Sequence, residues 1–473
     1  MLENLRPAWI VTRRELKDQF RDWRIIIPLV LLALVFPGLV DFAAGQLVDF
    51  IKGYGANIFA DRLIPFMLMV VGFFPVSISL AIALESFVGE KERGSIEPLL
   101  TSPLTDVQIY VGKLAAALAP PLLASTLAVI VYLVGINFQL DWRPPGILLV
   151  QILLLTLVQG IVMVSGAVII SSQTTSVKAA NLLAAFVIIP MAFLIQGEAV
   201  VMFWARYSVL WWIIAGQVVI AALLIRSGIS YFNREELLGR ELDSLNFRWG
   251  WRVFVEAFSG GEKTPLAWYR RVVAPAVQRM RAPILAMCLA LAMGIWAGAG
   301  EASEFALPTE VLNLNNLDQG FINGLDAIRF FSVSGVGTVW IHNLRAILLA
   351  TLAGFFSFGV LGVLVLMMPL MLVGYFMANT AAAGLSPLVF LGALVAPHGL
   401  FEIPAIVLAG AAIMHLGGTL LAPSHGRSIG EAWLRSFADW AKIVVGLVVP
   451  LLLAAAFVEV LLTPRVAVWL LGG

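Results

Sequence analysis

Ionisable side chains inside long apolar runs are the residues of this sequence best suited to chemistry. His398 and Glu402 are four residues apart, a spacing that places two side chains on one face of a helix. His342 and Glu459 lie in or beside other apolar runs and are candidate partners. Such a group could carry catalysis or conduct an ion, because an ionisable side chain at membrane depth is costly and is a functional hypothesis by default. The alternative is a buried hydrogen-bonded pin that holds an irregular helix.

The helix around this pair is expected to be broken or kinked. Pro397, Gly399 and Pro404 interrupt regular helical hydrogen bonding, and the freed carbonyl groups then need partners within the protein. The residues assigned to this intramembrane polar set are His342, Asn343, Pro397, His398, Gly399, Glu402, Pro404 and Glu459.

No metal is expected at this set. A catalytic zinc site takes three protein ligands, and one histidine with one glutamate, outside any His-Glu-x-x-His arrangement, falls short of that number. The single cysteine, Cys288, excludes a cysteine-based site. An intramembrane hydrolase is kept as a minor alternative, and no catalytic residue is assigned.

A charged segment between two apolar runs, residues 85–104, is the second feature with interpretable chemistry. Four charged residues, 90–93, form a polar turn bounded by Gly89 and Gly94. Ile96, Leu99 and Leu100 follow at helical spacing, and Pro98 and Pro103 limit how far a helix can extend. The pattern predicts a short amphipathic helix that stands off the membrane and fits a groove on a partner. A solvated loop would explain the charges but not the apolar stripe. The assigned residues are Glu85, Gly89, Glu90, Lys91, Glu92, Arg93, Gly94, Glu97, Leu99, Leu100 and Pro103.

The elements that must position both sets are membrane helices. Hydrophobic residues make up 60% of the 473 residues and charged residues 12%, whereas roughly a quarter of the residues of soluble globular proteins are charged. Apolar runs of about 18 to 25 residues suit helices that cross a bilayer, and no alternating pattern suggests a β-barrel. The predicted fold class is an all-α integral membrane protein. We predict spans near residues 25–44, 64–84, 114–136, 147–170, 181–197, 208–226, 283–300, 346–373, 385–421 and 441–463, where 385–421 is one broken span or two short ones.

Basic residues indicate the orientation. With a cytoplasmic N-terminus, 23 lysine and arginine residues fall on the inner side and 7 on the outer side, provided that residues 385–421 cross twice. The first 24 residues interleave aromatic and basic side chains, which predicts a helix lying along the inner leaflet, with a solvated basic tail as the alternative. The following span has no small-residue cleavage site and is expected to be retained.

The sequence Glu-Lys-Glu-Arg-Gly-Ser-Ile-Glu-Pro-Leu-Leu-Thr-Ser-Pro-Leu at residues 90–104, placed after the second of six spans, resembles the coupling segment of type-2 ABC transporter permeases. The resemblance covers roughly residues 1–235. It implies a six-span, exporter-like domain whose N-terminal helix touches a separate ABC ATP-binding subunit. ATP and Mg²⁺ would be bound by that subunit and no cofactor by this chain. A homodimer with two ATPase subunits is the simplest complete assembly.

This chain is expected to have no ATPase site of its own. In Ser259-Gly-Gly-Glu-Lys-Thr264 a glutamate separates glycine from lysine, and the upstream glycine of a phosphate loop is missing. Residues 236–282 are predicted to be a basic cytoplasmic linker. Its tryptophans and arginines suit a membrane surface, and nucleic acid is not expected as a partner.

Three motifs after residue 280 resemble the stage II sporulation protein M family. They are Ile341-His-Asn-Leu-Arg-Ala346, Ala396-Pro-His-Gly-Leu-Phe-Glu-Ile-Pro-Ala405 and Phe457-Val-Glu-Val-Leu-Leu-Thr-Pro464. The resemblance covers about residues 283–464 and implies a multi-span module, which we place at residues 283–473 with four to five spans. Only the module carries over, because fusion to a permease argues against a role in sporulation as such.

Two functional classes follow. In the first, the chain is the permease subunit of an ATP-driven exporter in the plasma (inner) membrane and moves a lipid-like, glycan-linked or hydrophobic substrate. In the second, an ABC-type signalling or scaffold complex relays ATPase strokes to the outer loop, residues 301–341, and so controls envelope or cell-wall enzymes. The expected partners are the ATP-binding subunit, a second copy of the chain, membrane lipids and, in the second class, an envelope or cell-wall protein.

Overall fold

The computed structural model describes residues 6–53, 57–94, 101–140, 142–174, 176–231, 247–308, 326, 331–355, 357–419 and 429–471. All regular elements in these ranges are helical, and 11 helical runs among them are long and apolar enough to cross a membrane. The prediction of an all-α integral membrane protein is confirmed. The chain divides into two compact units, Met1–Leu245 and Asn246–Gly473.

The first unit begins with an amphipathic helix, which six candidate spans follow. Its helices are α1 (Arg6–Gln19), α2 (Trp23–Val30), α3 (Phe36–Gly53), α4 (Asn57–Glu92), α5 (Asp106–Leu140), α6 (Gly146–Gln173), α7 (Val177–Leu183), α8 (Ala185–Phe203) and α9 (Tyr207–Tyr231). A π-helical turn, Leu31–Val35, joins α2 to α3 within one candidate span, and α7 and α8 together form another.

Polar side chains tie the central helices of this unit together. Lipid is as apolar as the side chains that pack between helices, so burial alone does little to drive membrane helices together, and hydrogen bonds and close packing contribute more. Tyr132 Oη of α5 donates to the carbonyl of Ile64 on α4 at 3.1 Å, and Ser125 Oγ donates to the carbonyl of Gly72 at 2.5 Å. Both donors are buried in the apolar core between these helices.

The second unit contains five candidate spans, the larger of the two numbers expected. Its helices are α10 (Phe247–Ser259), α11 (Pro265–Trp268), α12 (Ala274–Arg279), α13 (Arg281–Glu301), α14 (Val333–Phe355), α15 (Val360–Ala382), α16 (Pro387–Phe390), α17 (Ala396–Gly418), α18 (Ile429–Ile443), α19 (Val449–Leu461) and α20 (Thr463–Leu471). π-Helical turns join α11 to α12, α16 to α17 and α18 to α19.

The single span predicted at residues 346–373 is wrong, because two helices, α14 and α15, cover it. They are separated at Phe358 and Gly359, whose φ angles of 53° and 96° lie outside the helical range. Ser357 Oγ accepts a hydrogen bond from the amide of Leu361 at 2.9 Å and so stabilises the start of α15. The sequence signal was Gly359, the residue best able to adopt a positive φ.

The expected break at residues 385–421 is a local widening instead. α16, the turn Leu391–Val395 and α17 form one candidate span, Pro387–Gly418. The amide of Ala396 donates to the carbonyl of Leu391, five residues back, directly before Pro397, which has no amide hydrogen to donate. Pro404 lies within α17 and does not end it. The additional span comes from the division into α14 and α15.

Residues 247–279 were predicted to belong to a linker, but they form helices that belong to the second unit. Phe254 of α10 packs on Phe437 of α18 with ring centroids 5.6 Å apart, and the Tyr269 hydroxyl donates to the carbonyl of Gly446 at 2.7 Å. An aromatic face of α10 therefore packs against an aromatic face of α18. The earlier part of the predicted linker, residues 236–246, lies outside the described residues.

Glycines allow α13 and α15 to approach closely. A Cβ atom added to Gly298 would lie 1.8 Å from the carbonyl oxygen of Met371, and one added to Gly374 would lie 2.0 Å from the carbonyl oxygen of Ile295. Because a backbone oxygen cannot rotate away, even alanine would force the two helices apart. Small residues at such contacts are typical of closely packed membrane helices.

We predict that Gly298→Ala lowers the thermal stability of the detergent-solubilised protein, whereas Gly300→Ala does not. Both glycines lie on α13, but nothing lies within 4 Å of a Cβ at Gly300. Overpacking costs about 1 to 3 kcal/mol, while alanine gains about 1 kcal/mol over glycine within a helix. Melting temperatures followed by size-exclusion chromatography check this, and equal values for the two variants would contradict the close approach.

Candidate functional site

α1 is a helix, as the sequence predicts, and one of its faces packs on the bundle. Thr12 is buried, and its Oγ1 donates to the carbonyl of Gly112 on α5 at 3.1 Å. Gly112 gives this contact room, because a Cβ there would lie 2.8 Å from the carbonyl oxygen of Ala8. Trp9 and Ile10 are more than half exposed, on the face of α1 that is not packed on the bundle. α1 is therefore attached to α5 and carries an apolar surface outward.

Lys113 of α5 is the centre of a buried ion-pair network, which we call the Lys113 network. The Nζ atom lies 3.0 Å from Glu15 Oε1 on α1 and 3.0 Å from Glu90 Oε2 on α4. It also donates to the carbonyl of Ser86 at 2.7 Å, and the ring centroid of Phe87 lies 5.0 Å away. The lysine side chain is completely buried. One cation therefore joins three helices.

The Lys113 network resists separation of these helices. Removing one partner of a buried ion pair costs about 3 to 5 kcal/mol, because the remaining charge stays buried and uncompensated. Without Lys113, the carboxylates of Glu15 and Glu90, each 17% exposed, would repel each other as well. The first helix of the chain, the end of α4 and the beginning of α5 are thus held as one group.

Glu92 performs a different task from Glu90. At the last residue of α4, its Oε1 accepts a hydrogen bond from the amide of Val177, the first residue of α7, at 2.8 Å. Ser176 Oγ also accepts from the third residue of α7 at 3.2 Å. A carboxylate at a helix N-terminus satisfies free amides and interacts favourably with the helix dipole. Lys91 lies in the same last turn of α4.

The polar turn predicted at residues 90–93 is not a separate helix. α4 continues through Glu92, so that Gly89 lies within the helix, and Gly94, with φ of 66°, follows its end. Glu85 and Arg93 are exposed and lie 4.0 Å apart, a surface pair worth at most about 1 kcal/mol. The charged turn is therefore the end of a candidate membrane span.

The remainder of segment 85–104 is partly described. Glu97, Leu99 and Leu100 fall within residues 95–100, which lie outside the described residues. Pro103 is exposed and precedes a capping box. In this box Thr105 Oγ1 accepts from the amide of Gln108 at 3.3 Å, and Gln108 Oε1 accepts from the amide of Thr105 at 2.9 Å. The box starts α5 seven residues before Lys113.

Glu198 is a buried carboxylate that sequence reasoning missed. It lies on α8 and is fully buried. Gln159 Nε2 of α6 donates to its Oε2 at 2.6 Å, and Gln217 Nε2 of α9 donates to its Oε1 at 2.7 Å. An acidic residue inside an apolar span was the available signal. Both carboxylate oxygens have amide donors, so this group connects three helices.

The structure brings His398, Glu402 and Glu459 together between α17 and α19. One potential ligand atom from each residue lies within 4.8 Å of the other two. His398 Nε2 is 3.7 Å from Glu402 Oε2, which is too far for a hydrogen bond, and His398 Nδ1 is 3.2 Å from Thr463 Oγ1. We call these three ionisable residues the His398 cluster. Thr463 was not among the residues assigned from the sequence.

The remaining polar members of the predicted set lie on α14. His342 is close enough to Glu402 for a coulombic interaction but is exposed and is not one of the three clustered residues. The Nδ2 atom of Asn343 is buried and has no hydrogen-bond partner in the described part of the chain. α14 thus borders the His398 cluster without completing it.

Proline and glycine shape the helix that carries the His398 cluster. Pro397 stands in the first turn of α17, directly after the π-helical turn, and Gly399 is buried in the same turn. Pro404 lies about two turns beyond Pro397. The widened turn ends before His398, so that His398 and Glu402 lie four residues apart on regular helix and face the same side.

Asp439 of α18 forms a second charged group that sequence reasoning missed. Its carboxylate accepts from Arg279 Nη2 at 2.9 and 3.0 Å and lies 2.5 Å from Lys442 Nζ. His415 Nε2 of α17 is 3.8 Å away. Arg279 ends α12, so this carboxylate attaches residues of the predicted linker to the helices of the second unit.

Comparisons with known proteins match the two halves of the chain separately. Residues 7–195 match the family model of the ABC-2 type transporter, and residues 283–464 match that of stage II sporulation protein M. Uncharacterized protein MJ0793 of Methanocaldococcus jannaschii is 29% identical over 167 residues, which are 34% of this chain and 88% of that protein. Both resemblances predicted from the sequence are confirmed. The chain therefore combines an ABC-2 type transporter membrane region with a stage II sporulation protein M region.

Proposed function

We propose that this chain is the permease subunit of an ATP-driven ABC exporter and that a separate ATP-binding subunit docks on the end of α4 and on α1. The observation that carries the proposal is the Lys113 network, which joins α1, α4 and α5 beside residues 85–104. The ABC-2 type transporter match supplies the class of machine. ATP and Mg²⁺ are bound by the partner in this proposal.

The exposed and buried charges of this region suit two successive steps. Glu85 and Arg93 are exposed and are available to a partner, whereas Lys113 is completely buried. A partner that displaces the end of α4 therefore moves Glu90 against Lys113, and the network passes the displacement to α1 and α5. Rearrangement of packed helices by such contacts is a common switching mode.

The proposed membrane is the plasma membrane, with the N-terminus in the cytoplasm. With that orientation, 11 successive crossings leave the basic residues of 247–281 on the inner side. Arg427 then also falls on the inner side without a double crossing at 385–421, whereas Arg345, Arg435 and Lys442 fall within candidate spans and leave the count. The exposed Trp9 of α1 would lie in the lipid interface.

The proposed assembly is a homodimer with two ATPase subunits, because six spans are half of the membrane core usual for such exporters. The proposed cargo is lipid-like, glycan-linked or otherwise hydrophobic. A signalling complex that controls an envelope enzyme is the second candidate. It is favoured by the second unit, which has a compact fold and a family match outside the transporter region.

Reconstitution distinguishes the two candidates. The chain and its ATP-binding partner are placed in vesicles, and ATP hydrolysis and cargo movement are measured together. Cargo movement that depends on hydrolysis supports the exporter. Hydrolysis that an envelope enzyme stimulates, with no movement of any tested lipid or glycolipid, supports the signalling complex and rejects the exporter.

We predict that Arg93→Glu weakens association with the ATP-binding subunit at least tenfold and leaves the fold intact. The side chain is 72% exposed, so its reversal changes the surface charge with little cost to packing. Arg143→Glu is the matched control. Arg143 is also exposed, but it follows the C-terminal end of α5, whereas Arg93 precedes the N-terminal end. Co-purification at fixed detergent and salt measures association. Equal retention of the partner by both variants would count against docking at this end.

We predict that Lys113→Met destabilises the protein and that the triple variant Lys113→Met, Glu15→Gln, Glu90→Gln recovers most of the stability. Neutral side chains avoid both the lost pairing and the repulsion between carboxylates. The recovered variant should still associate with the ATPase subunit but should lose at least tenfold in cargo movement per ATP hydrolysed. A triple variant that is stable and transports with the wild-type ratio would show that the Lys113 network transmits nothing.

A further inference from the structure

The half-buried His398 cluster differs from the Lys113 network and from the group around Asp439 in what surrounds its carboxylates. Lys113 and Asp439 each contact side chains of opposite charge. In the described ranges, neither Glu402 nor Glu459 forms an ion pair with a lysine or an arginine, and His398 Nε2 lies 3.7 Å from Glu402 Oε2. Two carboxylates and an imidazole therefore face one another with a gap between them.

The hydrogen bonds of Thr463 indicate which nitrogen of His398 faces this gap. Thr463 has one hydroxyl hydrogen, and its Oγ1 donates to the carbonyl of Val458 at 3.3 Å. When Thr463 donates to Val458, the same oxygen accepts from His398 Nδ1, 3.2 Å away. With the proton on Nδ1, the lone pair of Nε2 points toward Glu402. A histidine held in this way by its other nitrogen is typical of metal ligation.

The dimensions of the cluster suit a small cation. Any three atoms that lie within 4.8 Å of one another have a common point no more than about 2.8 Å from each. Distances from zinc to nitrogen and carboxylate ligands are about 2.0 to 2.2 Å, so each ligand atom would move inward by less than about 1 Å. Rotation of the two glutamate side chains supplies such movement without a change of the helices.

The charges of the His398 cluster also favour a divalent cation. A neutral imidazole and two carboxylates carry a net charge of −2, and a divalent cation brings the group to neutrality within an apolar surrounding. Carboxylates remain costly at this depth unless they are protonated or paired with a cation. Nitrogen and oxygen ligands together favour a transition metal over Mg²⁺ or Ca²⁺, which prefer oxygen ligands alone.

We propose that His398, Glu402 and Glu459 bind one divalent transition-metal ion, of which Zn²⁺ is the representative, and that Thr463 positions His398 for it. The expectation from sequence, that too few ligands are present, changes because Glu459 arrives from α19 as the third ligand. Three protein ligands leave a coordination position for water. The proposal concerns the second unit and does not depend on the transport function.

Zinc binding to the full-length chain tests the proposal. Protein without a polyhistidine tag is purified in detergent, treated with a chelator, desalted and titrated with Zn²⁺ against a competing indicator dye. We expect one Zn²⁺ per chain and a higher melting temperature with Zn²⁺ than without it. Glu402→Gln and His398→Asn should each weaken binding at least 100-fold, and Thr463→Val should weaken it about 10- to 100-fold, the usual effect of removing a hydrogen bond to a metal ligand.

Two controls separate binding from folding. His415→Asn removes a histidine from the same helix α17 outside the His398 cluster and should bind Zn²⁺ like the wild type. Thr463→Ser keeps the hydroxyl and should restore the affinity that Thr463→Val loses. The absence of Zn²⁺ and Mn²⁺ binding to the wild type would overturn the proposal. Unchanged Zn²⁺ affinity in Glu402→Gln would also overturn it. A Glu402→Gln variant that is more stable than the metal-treated wild type would overturn it as well, because that result would identify a hydrogen-bonded pin between protonated groups.

Discussion

The structure depends on one constraint, which is that a polar group inside an apolar bundle must find its partner within the protein because lipid offers none. Lys113 meets it with two carboxylates and a carbonyl, and Glu198 with two glutamine amides. Asp439 meets it with Arg279 and Lys442. Each of these groups joins at least two helices. Polar residues in this protein thus join helices that hydrophobic burial alone would not hold together.

The same constraint explains why charge in the sequence is a poor guide to exposure at the end of α4. The run from Glu85 to Arg93 contains five charged residues, and a partner-binding helix is the natural prediction. In the structure its charges are divided, with Glu90 directed to Lys113 and Glu92 to the start of α7. Glu85 and Arg93 remain exposed. Glu85 and Arg93 are therefore the charges that the proposed partner would meet, whereas Glu90 and Glu92 connect the end of α4 to neighbouring helices.

Much of the fold follows from local sequence, and the rest depends on contacts between distant residues. Apolar runs located the six spans of the first unit, and the family motifs located both regions. The division at Phe358 and Gly359 was missed because the apolar run continues across it. Residues 247–279 were assigned to a linker because their aromatic face appears unpartnered until α18, almost 200 residues later, provides the matching surface. Glu198 is recognisable in the sequence as an acidic residue within an apolar run, but the glutamines that bind it come from two other helices.

The candidate site of the second unit shows how a third residue changes the chemistry of two. His398 and Glu402 alone, at helical spacing, are as compatible with a hydrogen-bonded pin as with a cation site. A pin, however, needs a proton shared between donor and acceptor at hydrogen-bond distance, and the 3.7 Å between Nε2 and Oε2 exceeds that distance. Glu459 adds a second carboxylate, which raises the cost of leaving the group without a cation. Thr463 lies at hydrogen-bond distance from Nδ1 of His398 and leaves Nε2 on the side of Glu402. A pin would be expected to close this gap, whereas a cation site has to keep it open.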